Sequence, residues 1–291
     1  MIPGGAWYLA PAAYSEGMAI PYLTLSNGVP IPAMGLGTYP LRGDEGMAAV
    51  RSGLELGYRL IDTAEAYDNE MTVGEGIRQS GVPRAEIFLT TKFNRQWHSV
   101  DGVRQAAAGS LRRLGTDYLD LLLIHWPNPG FGMYVEAFRG LLKLLDEGVV
   151  RAIGTSNFKP AHLARVLAET GASPQVNQIN LTPWVARQPS VAYDSAHGIV
   201  TEAWSPIRPA AMLQDPAIVA IARAHDATPA QVVLRWGTRH GYVPIPKSAH
   251  ADRQAENLAS WDLSLSDDDM AVLDALDQGE AGVTDSDTFG H

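Results

Sequence analysis

Residues 118–125 read Tyr-Leu-Asp-Leu-Leu-Leu-Ile-His, and Trp126-Pro127 follows. A run this short, apolar at nearly every position and broken only by Asp120, describes a strand covered on both faces. That is the habit of parallel sheets flanked by helices. Seven further runs of this kind occur, at Ala33–Gly37, Arg59–Asp62, Ile87–Lys92, Val150–Ser156, Gln175–Gln178, Val200–Trp204 and Tyr242–Lys247. Between them lie stretches with apolar residues at helical spacing, such as residues 47–56 and 135–145. Eight strands, each followed by a helix, predict an α/β fold of the (β/α)8 TIM-barrel type, which occupies about 250 residues. A doubly wound open sheet is the competing fold. It opens on a Gly-rich first turn, and no G-x-G-x-x-G is present, since Gly35-Leu-Gly37 runs on into Thr-Tyr-Pro.

Ahead of the first barrel strand, Tyr22-Leu-Thr-Leu, Ser26-Asn27-Gly28 and Val29-Pro-Ile-Pro predict a short β-hairpin capping the bottom of the barrel. Asn27-Gly28 suits a type I′ turn. Residues 1–21, rich in Gly, Ala and Pro and without period, read as a flexible N-terminal extension with Met18 as an alternative start. Residues 22–291 read as one barrel domain. The charge-dense end, Asp285 to His291, reads as a surface tail.

The chain has 291 residues, 46% of them hydrophobic, so it can bury a large core. Its 22 basic and 32 acidic side chains give a net charge of −10 without any basic run. Nucleic-acid or anionic-membrane binding is therefore not expected, and an anionic ligand needs a local basic site. The absence of cysteine removes disulfides, thiolate catalysis and Cys-ligated metals. No apolar run reaches the roughly 18 residues of a membrane span, and no basic n-region opens the chain. A cytoplasmic monomer is the expectation.

In such a barrel the reactive groups sit at the C-terminal ends of the strands. The polar residues that end predicted strands are Asp62, Lys92, His125, Ser156 with Asn157, Gln178, Trp204 with Ser205, and Lys247 with Ser248. From Asp62 to Ser156 the intervals are 30, 33 and 31 residues, close to one strand–helix unit each time, so these groups converge on one rim. Each has an ordinary explanation alone: a helix-capping aspartate, a snorkelling lysine, a hydrogen-bonded core histidine, and for Tyr67 a packed aromatic. Together they require four coincidences on one rim.

A tyrosine hydroxyl titrates near 10 and is a weak acid at neutral pH. An ammonium about 4 Å away, at an effective dielectric of about 20, favours the phenolate by roughly 4 kcal/mol. Asp62 would keep a buried Lys92 charged while partly cancelling its pull on the phenol. A neutral His125 could orient a carbonyl. The assembly is a general acid aimed at a carbonyl oxygen, and it needs a hydride donor.

These residues resemble the aldo-keto reductases, especially their bacterial diketogluconate-reductase-like branch. The resemblance runs from Tyr22 to the C-terminus. It rests on Leu60-Ile-Asp-Thr-Ala-Glu-Ala-Tyr67, Thr91-Lys92-Phe, Leu123-Ile-His125-Trp-Pro, Ile153-Gly-Thr-Ser-Asn157-Phe, Gln175-Val-Asn-Gln178 and Ile245-Pro-Lys-Ser248. It implies reversible carbonyl reduction with NADPH, with Tyr67 as acid supported by Asp62, Lys92 and His125, and no metal. It also implies Ser156, Asn157 and Gln178 on the nicotinamide carboxamide, Trp204 stacked on the nicotinamide, and Ser205, Pro206 and Ile207 near the pyrophosphate. Lys247, Ser248 and Arg253 fall on the adenosine 2′-phosphate site, and Glu256 and Asn257 fall near the adenine. A helix over Ala251–Ser260 would add its positive end. Gly37, Thr38 and Tyr39 would border cofactor and substrate, and Tyr39, Phe93, Trp97, His125 and Trp126 would line the pocket for a small carbonyl compound. The chain departs from the family after Lys92, where Phe93-Asn-Arg-Gln-Trp97 replaces Leu-Trp-Asn, and at His250, where small hydroxyl residues are common. The stretch from Ser205 to Asp215 is too short for a long cofactor-clasping loop.

Two other classes fit the sequence less well. A metal-dependent barrel hydrolase lacks His-x-His and His-Glu-x-x-His. A non-catalytic nucleotide-binding barrel, acting as a sensor or regulatory subunit, is disfavoured by the complete tetrad. Serine-hydrolase and P-loop readings fail for want of G-x-S-x-G and G-x-x-x-x-G-K-[ST].

Overall fold

Eight parallel strands follow one another in chain order around a barrel in the computed structural model, which describes residues 20–291. They are β3 (Gly35–Gly37), β4 (Leu60–Asp62), β5 (Phe88–Phe93), β6 (Leu119–Ile124), β7 (Val150–Ser156), β8 (Val176–Asn180), β9 (Val200–Trp204) and β10 (Val243–Ile245). A two-stranded antiparallel hairpin, β1 (Tyr22–Thr24) and β2 (Pro30–Pro32), precedes them. The seam between first and last strands is drawn together where the Gly37 N–H donates to the Pro246 carbonyl at 2.9 Å. Glycine permits this approach. A Cβ on Gly35 would stand 2.3 Å from a Leu60 methyl and 2.7 Å from an Ile245 methyl.

The stretch that decides the fold, β6, is buried along its whole length, as two-sided covering requires. Its one acid lies at the end opposite the site. Buried Asp120 is held by Arg84 at 2.8 Å and Arg151 at 2.7 Å and accepts from the Leu89 N–H at 3.0 Å, so its charge is fully partnered. The helices between strands bury one apolar face each, and several begin on side-chain caps. Ser99 accepts from the Gly102 N–H, and Thr228 and Gln231 exchange bonds in a capping box. Each aliphatic side chain so buried contributes about 1.5–3 kcal/mol.

The hairpin lies at the bottom, as expected: Asn27 donates to the Arg151 carbonyl at the start of β7, and Leu23, Leu25 and Ile31 join the core. Its turn is not type I′, which needs positive φ at both central residues. Only Gly28 is left-handed, at φ 86°, and Leu25 bonds to Val29 across a three-residue loop. Of the expected extension, residues 1–19 lie outside the described residues. Ile20 is buried in the core, and the Pro21 carbonyl accepts from the Ala33 N–H.

The far end also corrects the sequence reading. Asp285 to His291 is no free surface tail. Lys159 holds Asp285 and Asp287, each at 2.6 Å, and His162 meets Asp287 at 2.9 Å. The segment then crosses the C-terminal mouth of the barrel, where the Phe289 ring stands 4.8 Å from that of Trp126 and the His291 carbonyl accepts from the Arg95 N–H. Two charge anchors and an aromatic contact thus override the polarity that suggested solvent.

Candidate active site

Strand register brings the four expected residues together. Asp62 ends β4 and Lys92 lies one strand over in β5, where the pairing sets Asp62 beside Thr90 and turns Lys92 toward the same mouth. The Lys92 ammonium, without exposure, donates to Asp62 Oδ1 at 2.7 Å and Oδ2 at 2.8 Å, to the Thr63 carbonyl at 2.9 Å and to the Tyr67 hydroxyl at 3.3 Å. Tyr67 closes a 3-10 turn, Glu65–Tyr67, whose backbone is fixed when Arg42 donates to the Tyr67 carbonyl. His125 extends the β6 ladder by one bond to the Phe93 carbonyl, and its ring stands edge-on to Tyr67 at 5.8 Å.

Burial sets the protonation states. It pushes the Tyr67 hydroxyl above its ordinary range. Lys92 pulls against that and Asp62 adds to it, so the phenol retains its proton at neutral pH. The ammonium is thus not the leading influence on the phenol, because desolvation outweighs it. Burial opposes the charge on Lys92, but Asp62 and Tyr67 together raise its pKa and keep it an ammonium ion. Burial, helped by Lys92 and His291, drives His125 well below 6.5, so its imidazole is neutral. The cluster is a protonated phenol flanked by a cation and a neutral hydrogen-bonding ring.

A second group of side chains joins the ends of β7, β8 and β9. Asn157, at φ 64°, donates from its backbone to the Gln178 carbonyl and from its side chain to the His125 carbonyl, and it accepts from the Trp204 indole at 2.9 Å. Ser156 donates to the Gln178 carbonyl at 3.0 Å, and the Gln178 amide donates to Asp62 at 2.8 Å. Trp204 is half-buried. After Ser205 (φ 51°), Pro206 and Ile207, the chain makes only a short 3-10 turn, Ala210–Gln214, so no long clasp forms. The expected helix runs over Ala251–Leu258 and ends in a tight turn, Ala259–Asp262. Ser248 orders its approach by accepting from the His250 N–H. Lys247 and Arg253 are exposed and enter no ion pair among the described residues. Glu256 is taken up by the Thr228 hydroxyl at 2.7 Å, and Asn257 is buried against Tyr58.

At the mouth, Thr38 is tied to the Asp62 carbonyl and Tyr39 is exposed with its ring 5.0 Å from Tyr67. Phe93 is fully buried in the core, so it stands behind the mouth rather than on its surface. Trp97 is half-buried and its indole is held by Glu65 at 2.9 Å. Three contributors escaped the sequence reading. Glu65 pins the turn after β5 through Trp97 and the Asn94 N–H, His291 places its ring 4.7 Å from His125, and Glu202 is buried inside the barrel against Gln178. Only Glu202 left a signal, as an acid inside a barrel strand. Among the described residues no three or more His, Cys, Asp or Glu side chains gather as a metal site, and no helix is long and apolar enough to cross a membrane.

Residues 33–278 match the profile of the Aldo/keto reductase family. Over 272 residues the chain is 44% identical to morphine 6-dehydrogenase of Pseudomonas putida, covering 89% of this chain and 92% of that protein. It is 42% identical to 2,5-diketo-D-gluconic acid reductase B of a Corynebacterium species, covering 92% and 98%. A Gox0644 mutant solved in complex with NADPH superposes with a TM-score of 0.88 at 38% identity, covering 92% of this chain and 98% of that one.

Proposed function

The chain belongs to the aldo/keto reductase family, and from that premise we propose that it reduces small aldehydes, ketones or dicarbonyls with NADPH, using Tyr67 as the general acid. The observation that carries this is the 3.3 Å contact between the Lys92 ammonium and the Tyr67 hydroxyl, with Asp62 fixed on the far side of the lysine. The residues present fit the cofactor. The half-buried Trp204 offers an aromatic face, Ser156, Asn157 and Gln178 end adjacent strands, and two uncompensated cations, Lys247 and Arg253, flank the start of a helix in a chain that is otherwise acidic. Bound there, the reduced nicotinamide supplies a hydride to the carbonyl carbon.

The chain's own part is proton delivery and placement. The substrate oxygen sits between the Tyr67 hydroxyl and the neutral His125, and the imidazole orients it without competing for the proton. Tyr67 then gives its proton to that oxygen. The resulting phenolate is received by the adjacent ammonium, which is already in place and needs no reorganisation. In alcohol oxidation the same phenolate takes the proton back. Tyr67→Phe is expected to cut carbonyl-dependent loss of NADPH absorbance by about 10²–10⁴ while leaving NADPH binding intact. Full turnover in that variant overturns the assignment.

A further inference from the structure

Glu202 occupies the middle of β9, with Val243 beside it in register on β10, and its side chain has no exposure. Its Oε2 accepts from the Gln178 amide nitrogen at 2.8 Å, while its Oε1 has no partner. The same amide nitrogen donates to Asp62 Oδ2 at 2.8 Å. A primary amide carries two N–H bonds on one nitrogen, and here a carboxyl oxygen takes each of them. The amide oxygen is thereby directed away from both carboxyl groups, and it accepts nothing from the described residues.

We propose that Glu202 is a positioning residue for the cofactor. Together with Asp62 it locks the Gln178 amide so that its oxygen is offered to a carboxamide N–H of the nicotinamide. The inference rests on the reading of the strand ends as the NADP(H) site. Without Glu202 the terminal torsion of the glutamine is broad and nearly two-fold, and the amide can present nitrogen where oxygen is needed. Asp62 on β4, Lys92 on β5 and Gln178 on β8 are the polar groups facing Glu202. Burial, with Asp62 adding to it, raises its pKa to about 8, so at neutral pH it acts as an uncharged oxygen acceptor. An amide can therefore take its place.

The test measures NADPH and NADP+ dissociation constants by quenching of the chain's own tryptophan fluorescence, with thermal melting as the check on folding. Glu202→Gln is expected to bind within about twofold of the parent, and Glu202→Leu about fivefold more weakly, the worth of one hydrogen bond. Glu202→Met, closer in shape, answers the same question if the leucine variant does not fold. In a Gln178→Ala background the Glu202→Leu change is expected to cost nothing further. Unchanged binding by Glu202→Leu, failure of Glu202→Gln to restore binding, or full additivity with Gln178→Ala overturns the proposal. A parent chain that binds neither nucleotide removes the cofactor reading and this inference together.

Discussion

Lys92 and Asp62 meet inside the barrel through two short bonds, 2.7 and 2.8 Å, with the lysine wholly buried. Removing one partner of such a pair strands the other charge away from water, at a cost of about 3–5 kcal/mol. Asp62→Ala is accordingly expected to lower the unfolding free energy, measured by urea melts, by that much. Adding Lys92→Met to it is expected to recover part of the loss. Equal destabilisation by the single and double variants contradicts the pairing as the source of the cost.

Asp194 supplies a test in pH. It is fully buried, bonded to Thr201 at 3.0 Å and to Asn177 at 3.3 Å, and burial raises its pKa from 3.8 to about 7. The folded chain therefore holds a proton that the unfolded chain has released. The stability this group lends is whole below 3.8 and is lost as pH climbs to about 7. Asp194→Asn keeps a hydrogen-bonding side chain and removes the titration. Relative to the parent, this variant is expected to gain in urea stability across that window and to level off above it. A constant difference at all pH values contradicts the assignment.

Cofactor preference follows from the exposed cations beside Ala251–Leu258. Arg253→Ala is expected to weaken NADPH by about ten- to a hundredfold, the range for a hydrogen bond to a charged group, and NADH hardly at all. Equal losses for the two nucleotides contradict a 2′-phosphate contact.

Substrate range is expected to depend on the ring of Phe289, 48% exposed and edge-on to Trp126 at 4.8 Å. Phe289→Ala is expected to raise KM for aromatic aldehydes several-fold and to leave KM for a two- or three-carbon dicarbonyl nearly unchanged. Identical shifts for both classes place the ring outside the substrate's reach.

The fold was legible because each β-run of the sequence was short, apolar and bounded. All eight strands fall within two residues of their expected limits, and the strand-end filter brought Asp62, Lys92 and His125 onto one rim. What escaped depended on interactions with no local pattern. The hairpin turn looked like type I′ because Asn-Gly permits that turn without demanding it, and Asn27 stayed out of the left-handed region. Glu202 lay inside a strand, where a search of strand ends does not look, and its partner Gln178 is 24 residues away. The polarity of Asp285 and Asp287 suggested solvent, since nothing nearby announces that their counter-charge stands on Lys159, 126 and 128 residues earlier.

That distant fastening has a consequence for how the enzyme meets its surroundings. The lysine and aspartates that tether the final segment are partly exposed, whereas the Lys92–Asp62 pair beside the phenol is sealed inside. Mobile ions weaken exposed attractions over a Debye length of about 8 Å at physiological ionic strength and scarcely reach buried ones. Rising salt is therefore expected to loosen the strap across the entrance before it reaches the buried pair beneath.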